Sequence, residues 1–257
     1  MSSYFKSELK RVVISKNTLI ALILTIVLYF IGYYEFTNFK GFNVKGFKEI
    51  YDSIDVFIVI RKSYLSLLIP LIASMIFSDS YLLDLETGYL NFIYLRLSRK
   101  KYILIKILVN AIVSGLVIAV SSIFVFIILY LIFGINNNSL FNEVTGTFSL
   151  IYQENKFIYF LILIMISFIF NVIFATLSLG LSPYLKNRYL TVISSFAYYV
   201  ISATIFISLK LFELNAALLF TLNYLSAEML IIYQILLFLI GVILFYFGVL
   251  YKNEKNA

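Results

Sequence analysis

Few residues in this chain are suited to chemistry, and the missing types constrain function as much as the present ones. There is no Cys and no His in 257 residues. Disulfides, thiol nucleophiles and zinc sites built on Cys or His are therefore out, and so is the commonest general base. A His-Glu-x-x-His zinc cluster and a Ser-His dyad fall with them. The Asp residues stand at Asp52, Asp55, Asp79 and Asp84, away from the centres of the apolar runs. No carboxylate pair is thus expected at membrane depth. No Gly-x-x-x-x-Gly-Lys-[Ser/Thr] occurs, so the usual loop of backbone amides and Lys for ATP phosphates is missing. The chain supplies no catalytic or metal-ligating candidates, and it is not expected to be an enzyme.

The densest charge lies in Ser78–Lys106, SDSYLLDLETGYLNFIYLRLSRKKYILIK. Asp79, Asp84 and Glu86 come first, Gly88 interrupts, and Tyr89, Leu90, Phe92, Ile93 and Leu95 form an apolar helical stretch. Arg96, Arg99, Lys100 and Lys101 close it. Acids before and bases after suit the dipole of a short helix. So many aromatic and aliphatic residues beside a membrane call for a partner, either lipid or a docking protein.

The elements that position these residues follow from composition. The chain is 62% hydrophobic and 13% charged, against roughly 45–50% and about 25% in a soluble domain. Lipid accommodates that excess. The polar segments are short and leave no room for a soluble domain. The expected fold is an all-α integral membrane protein forming one transmembrane domain over 1–257. Its six spans are expected at about 18–34, 57–78, 104–133, 157–180, 189–209 and 229–251. The third begins early, at Tyr102, and is too long for the hydrocarbon core unless it tilts or protrudes.

Leu214–Ala227 is apolar but too short to cross, and Glu213 and Glu228 bound it. It predicts an outer re-entrant hairpin over 211–228 with a tip at Thr221-Leu222-Asn223. Before the first span, Phe5, Leu9, Val12 and Val13 recur at helical spacing opposite Lys6, Glu8, Lys10 and Arg11. This predicts an interfacial amphipathic helix over 2–16. The first span is longer than a signal-peptide core, no small-x-small site follows, and it is expected to stay uncleaved.

Six spans put both termini on one side. Thirteen of the 20 Lys and Arg then share that side and seven lie opposite. The positive-inside rule makes the terminal side cytoplasmic. A seventh span at Leu214–Ala227 would carry Lys252 and Lys255 to the other side. Heavy use of Ile, Tyr, Phe, Lys and Asn suggests an AT-rich bacterial genome, and so a bacterial cell membrane.

At Ser78–Lys106 the chain resembles permease subunits of ABC-2 type exporters. The resemblance rests on acid-x-acid-x-Gly, a short apolar helix, then Arg-x-x-Arg-Lys-Lys-Tyr leading to Lys106. An interfacial helix before span 1 and an outer hairpin between spans 5 and 6 extend it over the chain. The resemblance implies that 79–101 is a cytoplasmic coupling segment. It also implies two copies of a separate ATPase subunit, which hold ATP and Mg, and a second permease, identical or related. The coupling set it implies is Asp84, Glu86, Gly88, Tyr89, Leu90, Phe92, Ile93, Arg96 and Arg99. The close approach of Arg61 and Lys62 to the outer end of span 2 departs from the pattern.

Asn110, Asn171, Tyr198, Tyr199, Arg61 and Lys62 are the candidates for a substrate path. Interhelical hydrogen bonding accounts equally for Asn110, Asn171, Tyr198, Tyr199 and Gln234, and snorkelling to the interface for Arg61 and Lys62. Gly241 and Gly248 share a face of span 6, suited to close helix packing or a dimer contact. The span centres carry no charge and only Pro70 breaks one, which speaks against an ion-coupled carrier. The expected function is ATP-driven export of a hydrophobic or amphipathic substrate, with peptides, bacteriocins and drugs first by analogy. The rivals are a non-transporting immunity or sensor protein and an exporter of lipid-linked glycan.

Overall fold

The computed structural model describes residues 2–39, 50–136, 144, 146–223 and 225–252. The described residues form helices and turns, with no strand among them. Six helices are long and apolar enough to cross a membrane. Lys40, Lys45, Lys48 and Lys255, which enter the charge count, lie outside the described residues.

Helix α1 (Ser2–Val13) turns directly into α2 (Lys16–Phe39), the first candidate span. The Thr18 hydroxyl closes the corner by donating to the Val12 carbonyl at 2.7 Å. The second span runs over Ser53–Glu86, 34 residues against the expected 57–78. Helix α3 (Ser53–Ile60) opens it, capped by Asp52, whose side chain accepts from Ile54 and Asp55 N–H. A π-helical turn, Arg61–Leu65, follows, with Ser63 outside helical geometry at ψ −142°. Then come α4 (Ser66–Met75) and, after one turn, α5 (Ser80–Glu86). The chain continues helically past the polar residues because they find partners inside the bundle. The Ser78 hydroxyl reaches the Ala175 carbonyl, and Asp84 is ion-paired.

Pro70 sits inside α4 and lacks the N–H that the Ser66 carbonyl would accept. The Tyr199 hydroxyl from span 5 fills that vacancy at 2.6 Å. Ser74 adds a hydrogen bond to the Val192 carbonyl. Spans 2 and 5 are thus joined by hydroxyls reaching main-chain carbonyls, where lipid could supply no partner.

Gly88 takes a left-handed conformation, φ 70°, where a side chain would be strained. It separates α5 from α6 (Tyr89–Tyr94). Helix α7 (Arg99–Phe133), the third span, is 35 residues, about 52 Å at 1.5 Å per residue. The short α8 (Ser149–Glu154) leads into α9 (Lys156–Leu181) and then α10 (Arg188–Ser208). A 3-10 turn, Phe212–Leu214, and α11 (Leu218–Thr221) precede α12 (Ala227–Lys252).

Helix α9 is the hub, packed mainly against α7 and α12. Gly180 on α9 and Gly241 on α12 make this close approach. A β-carbon at Gly241 would stand 2.9 Å from the Leu177 nitrogen and the Thr176 carbonyl oxygen. Gly248 abuts Pro183 and Tyr184. The glycine face of span 6 therefore packs within the chain and is not left for a dimer contact. Span 5 has the least buried apolar stretch of the six, and span 2 the most.

Candidate functional site

The residues expected to form a coupling set lie at the end of the bundle where α1 meets the start of α7. Leu90 and Ile93 are buried in a second apolar cluster with Tyr81, Tyr102, Leu179 and Phe245. That anchors α6 by one face. The opposite face is bare, with Phe92 67% and Leu95 83% exposed and Tyr89 beside them. Between this face and α1 lies a cavity of about 570 Å³. Ser3, Tyr4 and Ser7 line it on one side, and Tyr89, Phe92, Leu95 and Arg96 on the other. The buried Tyr4 hydroxyl has no partner. Burial raises its pKa above the ordinary phenol value, so it stays a neutral donor.

Asp84 and Glu86, before α6, are engaged in ion pairs with other helices. Asp79, Asp84 and Glu86 all precede Gly88, and Arg99 opens α7. Glu86 pairs with Arg188 at 3.1 Å, joining α5 to α10. Asp84 is buried and binds Lys106 Nζ at 2.7 Å through Oδ2, with Arg11 at 3.6 Å from Oδ1. The Tyr102 hydroxyl donates to the same Oδ2 at 2.9 Å. Glu8 completes the cluster, 3.1 Å from Lys106 and 2.9 Å from Arg11. One buried network thus ties α1, α5 and α7 together, and it holds the ledge formed by α6 in place. Within the network Asp84 is a brace and not a surface contact. The sequence singled out Asp84 but missed its partner Arg11 and the second carboxylate, Glu8, that shares Lys106 with it. Their spacing, three residues apart on α1, shows only that they share a face of that helix.

The candidate path residues fall into separate groups. The Asn171 amide donates to the Ser114 carbonyl at 3.3 Å, joining α9 to α7. Asn110, one turn before Ser114, is buried with neither side-chain polar atom partnered. Tyr198 and Tyr233 share a hydroxyl hydrogen bond of 2.9 Å, and Tyr233 donates to the Leu214 carbonyl. Those contacts link α10 and α12 to the 3-10 turn. Tyr199 repairs the proline break. Gln234 is buried with its amide nitrogen unpartnered.

Arg61 does not snorkel and does not meet Asp55. It is 1% exposed. Its Nε donates to the Ser167 hydroxyl near the midpoint of α9, at 3.0 Å. Its guanidinium carbon lies 3.9 Å from the centre of the Phe220 ring on α11. The sequence places Arg61 at a span end because the apolar run begins at 57, whereas the helix begins at Ser53 and the side chain reaches Ser167 inside the bundle. Lys62 turns to the same connection, donating to Asn223 Oδ1 at 3.1 Å. Phe220 also packs edge-on to Phe170, with ring centroids 5.2 Å apart.

At the far end, Lys156 Nζ lies 3.1 Å from both Asp52 Oδ2 and Asp55 Oδ1. The Tyr152 hydroxyl also donates to Asp55. Burial and the neighbouring Asp55 carboxylate raise the pKa of Asp52. A carboxyl with a raised folded-state pKa stabilises the fold most at low pH, and the contribution fades as pH rises through the folded value. Asp52→Asn removes this titration and keeps a capping side chain. Its melting temperature should therefore fall less than the parent's between acid and neutral pH. Asp52→Ala should cost about 1 kcal/mol at all pH values through loss of the cap. Parallel pH profiles for the parent and Asp52→Asn would contradict this.

The fold and these sites define an all-helical, multi-pass membrane protein. Comparison with family models, curated proteins and solved structures gave no match.

Proposed function

We propose that this chain is the membrane-spanning permease subunit of an ATP-driven exporter of the ABC-2 type. The observation that carries the reading is the α6 ledge. A short helix between spans 2 and 3 is anchored by Leu90 and Ile93 and bares Tyr89, Phe92 and Leu95. Surface of this kind, beside a cavity and braced by buried charge, suits a protein partner better than water. In this reading the partner is a separate ATPase holding ATP and Mg, since the chain has no phosphate-binding loop of its own. Two ATPase copies and a second permease complete the transporter.

The same reading places the protein in a bacterial cell membrane with both termini cytoplasmic. Helix α1 lies along the inner interface, consistent with its basic, amphipathic sequence. Helix α11 belongs to a re-entrant hairpin entered from outside. Support comes from Phe220, whose partners Arg61 and Phe170 lie well inside the bundle, and from the left-handed turn at Leu222. The cargo is a hydrophobic or amphipathic molecule. Bound ATPase moves α6, and the brace passes that movement to α7 through Lys106.

The test is co-purification with candidate ATPase subunits encoded beside this chain. Phe92→Asp with Leu95→Asp should weaken ATPase association by about thirtyfold, the effect of one interface hot spot. Both side chains are exposed, so insertion and melting temperature should not change. Equal ATPase recovery and stimulation with the double variant would remove α6 as the docking element.

A further inference from the structure

Arg61 is a cation buried inside the helical bundle with a donor unused. Its Nε is occupied by Ser167 and one face of its guanidinium by Phe220. Its Nη2 is buried and has no partner. Among the described residues it takes part in no ion pair. An aromatic ring satisfies the face of a guanidinium but none of its N–H groups. A methionine or leucine would pack against Phe220 without leaving a buried donor bare. Ionisable groups kept inside a membrane domain without a counter-charge mark binding sites. The residue also opens the π-helical turn Arg61–Leu65, a distortion common at functional sites.

We propose that Arg61 anchors an anion site, in which Nη2 takes an oxygen of the phosphate or carboxylate head group of an anionic amphiphile. Guanidinium groups suit such oxyanions through their planar fork of donors. Lys62 adds a second positive charge on the same turn. The surroundings of the head group are apolar, because Phe220 packs edge-on to Phe170 there.

The cover over Arg61 is short. Helix α11 has four residues and ends on Leu222 at φ 62°, an unfavourable conformation for leucine. Lys62 holds its far end through Asn223. Against the same segment opens a cavity of about 830 Å³, lined by Ile207, Leu211, Phe212, Leu214 and Leu218, with Lys210 at its wall. Leu218 belongs to this cavity and lies two residues from Phe220. Displacement of α11 therefore joins the apolar cavity to the guanidinium. As the cargo of transport, the anionic amphiphile rests on the exporter reading; as a ligand it does not.

Binding is measured on the full chain, purified alone in a neutral maltoside detergent, by titration with dodecyl phosphate. Dodecyltrimethylammonium and inorganic phosphate serve as comparison probes. Saturable binding of dodecyl phosphate is expected, with the cationic analogue failing to compete. Arg61→Met should weaken it by about tenfold or more, the loss of a charged hydrogen bond. Arg61→Lys keeps the charge but loses the fork, so it should weaken binding by less. If Arg61→Met does not fold, Arg61→Lys decides, and unchanged affinity overturns the site. Absence of saturable binding in the parent, or equal binding by Arg61→Met, overturns it as well. Inorganic phosphate binding as tightly as dodecyl phosphate would make the ligand a free anion and overturn the amphiphile. Because no ATPase is present, these outcomes are independent of whether one docks on α6.

Discussion

Lys106→Met should lower the melting temperature of the detergent-purified chain by roughly 6–20 °C. Lys106 is fully buried and lies between Glu8 and Asp84. Removing it leaves two buried carboxylates with Arg11 as their remaining cation, and breaking a buried pair this way costs about 3–5 kcal/mol. For a chain of this size each kcal/mol moves the melting point by about 2–4 °C. The loss should be visible locally too, as faster proteolysis at the α1–α2 corner, because Lys106 links Glu8 of α1 to α7. Neutralising all three groups together, as Lys106→Met with Glu8→Gln and Asp84→Asn, should restore most of the stability. The amide oxygen that Asp84→Asn leaves in place of the carboxylate can still accept from Tyr102, and neither carboxylate remains without its lysine. A single variant melting within about 1 °C of the parent would show that the brace carries little energy.

Gly241→Leu should be the most damaging substitution on span 6, costing about 3 kcal/mol or more. The added carbon would meet main-chain atoms of Leu177 and Thr176 at 2.9 Å, and main chain cannot rotate away. Helices α9 and α12 must then separate, and this is one of the main packing surfaces of the bundle. Gly248 provides the comparison within the same helix. Its added carbon would meet the Pro183 ring at 2.7 Å and the Tyr184 ring at 3.0 Å. Pro183 and Tyr184 belong to the turn after α9 and can shift with it, whereas Thr176 and Leu177 are helix main chain, so Gly248→Ala should cost less than Gly241→Ala. Thermal denaturation of the two alanine variants gives the order directly. Equal losses, or a stable Gly241→Leu, would mean that the helices tolerate a wider spacing than the structure has.

The bundle was legible because apolar length is a local property. Six runs bounded by charges gave six helices, and Gly88 and Thr221–Leu222–Asn223 marked turns that the backbone makes. Span ends are less legible, because a charged residue marks a boundary in the sequence unless its partner is known. Asp84 and Lys106 are charged yet buried, since each sits beside the other. That pairing joins residues on two helices, and nothing in the spacing of either helix announces it. Arg61 was misplaced for a related reason. Its neighbours Ser167 and Phe220 lie 106 and 159 positions away in the chain, and only the folded bundle brings them together. The apolar face of α6 was visible in Tyr89–Leu95, but which half of it would be buried depended on where Leu179 and Phe245 come to lie.

The repaired carbonyl at Ser66 has a consequence for how the chain is made. Its partner, the Tyr199 hydroxyl, lies 133 residues later in the sequence. At about 5–20 residues per second, synthesis needs roughly 7–27 s to reach it. During that interval the second helix has entered the bilayer with one main-chain oxygen lacking its native partner. Spans 3 and 4 are synthesised in the meantime. The arrival of the fifth helix is therefore what gives the Ser66 carbonyl of the second its native partner, so span 2 reaches its final hydrogen bonding only after three further helices have been made.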